Sequence, residues 1–253
     1  MKKYKRQIFT YAGILFIFII WIILSEVIKE EIILPTIPTT FQSLFNLLSK
    51  SKTYLVLLNS IGGLFLVVVI GFVISLILSL VSFKFEGFKN FIQPLMSLFK
   101  ILPVPAVIIF FLVQFSQAII PYILTSMVVI PIMYEGLYAS IISIDDDIND
   151  EVKMISNNTN LSVIFNIYIP IIRPGIISSL LQSIGIGLKV KVMTEFVANT
   201  PNSIGYELNQ AKSWLSMDLV FAWTIILVVI VILLDFILSK FIKKKPIKKL
   251  KYN

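Results

Sequence analysis

The sequence predicts an all-α membrane protein with six membrane-crossing helices. Three observations carry that prediction. Hydrophobic residues fill 57% of the 253 positions and charged residues only 14%, far from the balance of a water-soluble domain. Six segments stay apolar over the roughly 20 residues that a helix needs to cross a bilayer core. The basic residues collect at the two ends, in "MKKYKRQ" and "KFIKKKPIKKLKYN", as they do beside membrane spans.

The first span, 8–25, follows a basic stretch and has the outline of a signal peptide. Its apolar run is long, however, and no small-x-small pattern precedes Glu26, so it reads as a retained anchor. The second span covers 60–83, the third 91–114 and the fourth 118–144. Pro94, Pro103, Pro105, Pro121 and Pro131 fall in the third and fourth. Prolines there free backbone groups that neighbours must satisfy, so they mark kinks, helix ends or a helix that bends in use. A polar loop, 145–173, separates these from a fifth span at 174–195 and a sixth at 219–239. The segments between the first and second spans and from Phe196 to Asp218 are too short to be domains of their own. The chain therefore reads as one transmembrane domain, 1–253.

Lysine and arginine counts orient it. With both termini in the cytoplasm, Lys84, Lys89, Lys153 and Arg173 join the two basic tails inside, and only Lys29, Lys50, Lys52 and Lys212 lie in outside loops. The basic tails flank spans, which favours anchoring beside membrane lipid over nucleic-acid binding.

The chain has no cysteine and no histidine, which removes disulfides, Cys/His zinc sites, thiol nucleophiles and imidazole catalysis. It also lacks the G-x-x-x-x-G-K-S/T phosphate loop, so it has no usual means of binding ATP. No catalytic set is legible, and the expected protein is not an enzyme.

The loop has a shape of its own. Asp145, Asp146, Asp147, Asp150 and Glu151 stand where a helix would start and offset its positive end. A calcium loop starting at Asp145 would want glycine at Asp150 and glutamate at Ser156, and has neither; no metal site is expected. Asn157 and Asn158 suit the left-handed turn that ends a helix. Thr159 or Asn160 then caps a second helix, in which Leu161, Ile164, Phe165 and Tyr168 form an apolar stripe opposite Ser162 and Asn166. Pro170 breaks it. From spacing alone, the stripe packs on the protein's own spans or docks on a partner.

Glu151, Asn157 and the run Ile167-x-Ile169-Pro170 resemble the EAA motif of ABC importer permeases, with every spacing kept. Val152 and Lys153 replace its alanines, Asn157 its glycine and Ile169 its leucine. Further stretches are similar, in order, to the nitrate/sulfonate/taurine branch of those permeases: "ILPTIPTTFQSLFNLL", "KILPVPAVIIFFLVQF", "YEGLYASIISIDDDINDE" and "KVKVMTEFVANTPNSIGYEL". The resemblance implies a type I ABC importer permease fold in a bacterial plasma membrane. It implies cytoplasmic ATPase subunits that use the ATP, an extracytoplasmic substrate-binding protein, and a second permease copy making a homodimer. It also implies that the second loop helix is a coupling helix seated in the ATPase, gripped through Leu161, Ile164, Phe165 and Tyr168, with Glu151 orienting the first helix. The implied solute is small and anionic, of the sulfonate, nitrate, taurine or thiamine-precursor type.

Some of the charges within spans stand out. Lys189, Lys191 and Glu195 sit in the outer third of the fifth, and Glu135 toward the cytoplasmic end of the fourth. Lys189 and Glu195 match the family's Lys-x5-Glu pattern, while Lys191 is extra. A charge at the bilayer centre costs roughly 2.5–3.5 kcal/mol on insertion scales, so such groups face protein or water. They read either as a snorkelling lysine plus a Lys191–Glu195 helix pair, or as the lining of a translocation path. The alternative to an ATP-driven importer is an ion-coupled secondary transporter using these same residues.

Overall fold

The structure, a computed structural model, describes residues 2–144 and 169–242, and every regular element within them is a helix. In chain order these are α1 (Lys2–Ile28), α2 (Ile37–Leu48), α3 (Ser51–Lys84), α4 (Glu86–Ile101), α5 (Val104–Gln114), α6 (Ile120–Ile142), α7 (Ile169–Ala198), α8 (Ile204–Ser213) and α9 (Met217–Ile242). Helices α1, α3, α6, α7 and α9 are each long and apolar enough to cross a membrane.

The third expected span, 91–114, is not one straight helix. It is the pair α4 and α5, bent by 95°. Pro103 has no N–H to continue α4, and its ring drives Leu102 out of the helical region, to φ −56° and ψ 126°. Pro105 falls in the first turn of α5, where the missing N–H costs nothing. The pair is nevertheless a crossing. Ser75 Oγ donates to the Ile130 carbonyl at 2.9 Å and Ser79 Oγ to the Tyr134 carbonyl at 3.1 Å, so α3 and α6 run parallel. The chain must return across the bilayer between them, and only α4 and α5 lie there.

Helix α6 is the hub. Tyr134 packs with Ile92 and Met96 of α4, and Ile120 and Leu124 pack with Ile108 of α5. Val129 and Met133 join Leu64 and Val67 of α3, Leu188 of α7 and Trp223 of α9 in the main core. Helix α7 runs antiparallel against α6 through two reciprocal contacts. A Cβ on Gly136 would overlap Ser179 Oγ, and a Cβ on Gly175 would overlap Ser140 Oγ. Each serine satisfies its hydroxyl within its own helix, Ser140 on the Gly136 carbonyl (2.6 Å) and Ser179 on the Gly175 carbonyl (2.7 Å). Two Gly-x-x-x-Ser faces thus let the backbones approach closely, which is how helices associate where lipid offers no hydrophobic drive.

Helix α1 is peripheral. Its Trp21 indole donates to the Pro35 carbonyl at 2.9 Å and its ring lies 5.4 Å from that of Phe221. Most of its other described side chains are exposed. The short helices α2 and α8, which hydropathy alone does not single out, are capped by Thr36 and Ser203. Ser43 of α2 donates to the Asp218 carboxylate, tying α2 to the start of α9.

Candidate functional site

Lysines 189 and 191 are two residues apart on α7, and two helical residues point about 200° apart. One therefore faces in and the other out. Lys191 lies on the packed face with Leu188, Val192 and Glu195, and Lys189 on the open face with Gln182 and Met193.

Lys191 and Glu195 are 2% and 1% exposed, and their Nζ and Oε1 atoms are 2.8 Å apart. The ammonium also sits 4.4 Å from the centre of the Tyr122 ring, a cation–π contact. The other carboxylate oxygen accepts from Ser60 Oγ at 2.8 Å and, at a longer 3.4 Å, from the Gly205 amide. Ser60 Oγ in turn accepts from the Ile204 amide at 2.9 Å. The first turn of α8 is thus held on a carboxylate, as the positive end of a helix favours. Glycines make the room: a side chain on Gly63 would crowd Lys191 and the Tyr122 hydroxyl, and one on Gly205 would overlap the Phe196 backbone. A buried charge is costly unless paired and hydrogen-bonded, and this pair is both. The network binds α3, α6, α7 and α8 together near the C-terminal end of α7.

The open face of α7 differs. Ser178, Gln182, Lys189 and Met193 are exposed, with Ile186 half-buried. Among the described residues Lys189 has no ionic or hydrogen-bonding partner. Beside this face, between α4, α6 and α7, lies a cleft of about 500 Å3 lined by Lys100, Glu135, Gln182, Val128, Ile132 and Ile186. Lys100 Nζ and Glu135 Oε2 pair across it at 2.6 Å, with side chains 41% and 45% exposed. The elbow after Ile101 brings Lys100 there. On the other flank, between α7 and α9, Lys189 borders an apolar groove of about 500 Å3 walled by Leu188, Val192, Leu227 and Val231.

Of the residues expected to matter, Lys191 and Glu195 are brought together. They form the Lys191–Glu195 helix pair that was one of the two expectations for these charges. Glu135 pairs with Lys100 in a separate place, and Lys189 shares an α7 face with Gln182 above it. Glu151, Asn157, Leu161, Ile164, Phe165 and Tyr168 lie outside the described residues. Pro170 is helical and belongs to α7. Sequence reasoning missed Lys100, Gln182 and Ser60. The helical period would have put Gln182 on the face of Lys189, but Lys100 needed the elbow and Ser60 the packing of α3 on α7.

A family model described as "Binding-protein-dependent transport system inner membrane component" matches residues 71–245, well over half of the chain. No curated protein matches it.

Proposed function

The chain belongs to the binding-protein-dependent transport system inner membrane components, the permease subunits of ABC transporters, and from that premise we propose that it is the permease of an ATP-driven importer for a small solute bearing an anionic group. The observation that carries the reading is the uncovered polar face of α7. Ser178, Gln182 and Lys189 follow one another along a helix that crosses the membrane, and the Lys100–Glu135 pair opens beside them. Lipid would want that face apolar; ionisable groups in spans face water or protein and mark solute pathways. A second copy of the chain across this face completes the path. The anionic preference rests on Lys189, the one cation there without a carboxylate among the described residues.

The energy comes from outside the chain. The loop read at 145–173, which leads from α6 into the start of α7, is the segment offered to a cytoplasmic ATPase, with Leu161, Ile164, Phe165 and Tyr168 as its grip and Glu151, Asn157 and Pro170 setting its two helices. Because the Gly136–Ser179 and Gly175–Ser140 contacts lock α6 to α7, a pull on the loop moves both helices, and with them Glu135 and Gln182. An external binding protein delivers solute to the opposite side. The switch between inward-open and outward-open states follows if the ATPase holds the loop differently in its two states. Both termini lie in the cytoplasm of a bacterial plasma membrane.

The test is reconstitution. In proteoliposomes with its ATPase and binding protein the chain supports ATP-dependent uptake, and alone it neither transports nor hydrolyses ATP. Uptake by the purified chain driven by an ion gradient overturns the reading in favour of a secondary transporter.

A further inference from the structure

The apolar groove between α7 and α9 has no part in the path along the open face of α7. Val192 and Phe196 wall it from α7, Leu227, Val228 and Val231 from α9, and Leu208 of α8 joins them. Helix α8 packs on both α7 and α9 and so lies over one end of the groove. Lys212, one turn beyond Leu208, holds its Nζ 5.6 Å from the centre of the Phe196 ring, a cation–π contact. A cation thus stands at the head of an apolar trough. We propose that this groove holds an acyl chain of an anionic phospholipid whose phosphate rests on Lys212. The proposal goes beyond the reading of the chain as an importer and needs only that the chain sits in a bilayer.

The dimensions select a lipid chain over a protein segment. From Leu188 to Phe196 the groove follows α7 for about 12 Å. A smaller cleft lined by Leu181, Gly185 and Leu234 shares Leu188 and Val231 with it and extends the trough to roughly 22 Å. One leaflet, half of a bilayer core, is about 15 Å deep, so an extended chain fits along the trough with its headgroup at α8. A helix about 10 Å across would fill roughly 900 Å3 over the first 12 Å alone, and the groove has about 500 Å3. An extended peptide is thin enough, but lipid leaves its backbone groups unsatisfied. Gly185 keeps the trough open, since a Cβ there meets no atom within 4 Å. The charges select the headgroup. Among the described residues Lys212 has no carboxylate partner, and Lys189 borders the same groove. The acids closest in sequence, Glu207 and Asp218, are engaged by Lys52 and Ser43. A net negative headgroup is therefore favoured over one that brings its own ammonium. Trp214, two residues beyond Lys212, is 69% exposed, and tryptophan gathers at the membrane–water interface where headgroups lie.

The full chain in detergent is titrated with dioleoylphosphatidylglycerol or dioleoylphosphatidylcholine, and native mass spectrometry reads the lipid retained. One phosphatidylglycerol per chain is expected, held about fivefold more tightly than phosphatidylcholine, the worth of one lysine beside an anionic headgroup. Lys212→Gln is expected to bring the two lipids level. Lys50→Gln, equally exposed between α2 and α3, is expected to leave the preference intact. Val228→Trp plugs the groove and Gly185→Leu its continuation. Each should weaken both lipids by at least about tenfold, the loss of two buried methylenes, without lowering the melting temperature. Because Lys212 is exposed, its variant reads the headgroup even where a plug destabilises the fold. Equal retention of the two lipids by the parent chain overturns the site, as does a preference that survives Lys212→Gln, or retention that neither plug reduces. A dimer that Val228→Trp dissociates without displacing lipid also overturns it, and makes the groove a contact between copies.

Discussion

Replacing Glu195 by glutamine removes one charge from the buried junction of α3, α7 and α8 while keeping its shape. The Lys191 ammonium, 2% exposed, then faces only an amide oxygen and the Tyr122 ring. Breaking a buried pair by removing one partner costs about 3–5 kcal/mol, because the remaining charge is neither solvated nor compensated. With an amide oxygen still in place, the lower end, about 3 kcal/mol, is expected. For a chain of this size that corresponds to a fall in melting temperature of roughly 6–12 °C. Lys191→Met is expected to cost less, since Glu195 keeps the Ser60 hydroxyl and the Gly205 amide as donors. The double variant is expected to be more stable than Glu195→Gln alone, because replacing both ions by neutral groups of like volume is often close to neutral. Thermal unfolding of the full chain in detergent, followed by tryptophan fluorescence with Trp223 buried in the main core, measures all three. A Glu195→Gln variant melting within about 2 °C of the parent, or a double variant that loses the sum of the single losses, shows that the pair is hydrated and refutes the desolvation reasoning.

Gly136→Ala pushes a methyl group into Ser179 and should cost about 1–3 kcal/mol, recovered in part by Ser179→Gly; equal melting of the parent and Gly136→Ala excludes the close α6–α7 contact. Phe165→Ala should weaken co-purification of the ATPase by at least about thirtyfold in affinity, the effect of truncating a central aromatic anchor, while Ser162→Ala does little. Should Phe165→Ala instead lose stability but couple normally, the stripe packs internally. Cysteines introduced at Ser51 and Asn202 should react with an impermeant reagent from outside and one at Asn158 should not; outside labelling at Asn158 reverses the topology.

The spans were legible because hydropathy averaged over a crossing reports the environment that the crossing needs. The same average is blind to direction. Residues 91–114 satisfy it whether they run straight or turn by 95°, and only the pair Pro103 and Pro105 hinted at the turn. Lys189 and Lys191 show a second limit. The helical period separates them onto opposite faces, but which face is packed depends on α3, α6 and α8, far away in sequence. Glu195 illustrates the same point: its donors come from Lys191 one turn away, Ser60 on another helix and Gly205 beyond the end of its own. Lys100 falls inside the third expected span, and its place opposite Glu135 follows from an elbow that no local pattern fixed.

That elbow also bears on how the chain enters the membrane during synthesis. Helix α4 has 16 residues and α5 has 11, and neither alone reaches the roughly 20 that a bilayer core requires. As they leave the insertion machinery, the facing ends of the two arms carry backbone groups without intrahelical partners, which lipid cannot satisfy. Helix α4 can already pack on Leu78 of α3 before Tyr134 of α6 joins it, but the partners of α5 all arrive later, Ile120 and Leu124 on α6 and Ala198 on α7. The third crossing is therefore completed after the fourth has been made. A nascent chain halted before residue 120 would hold α4 and α5 at the translocon, and release into lipid would await the helix that clasps them.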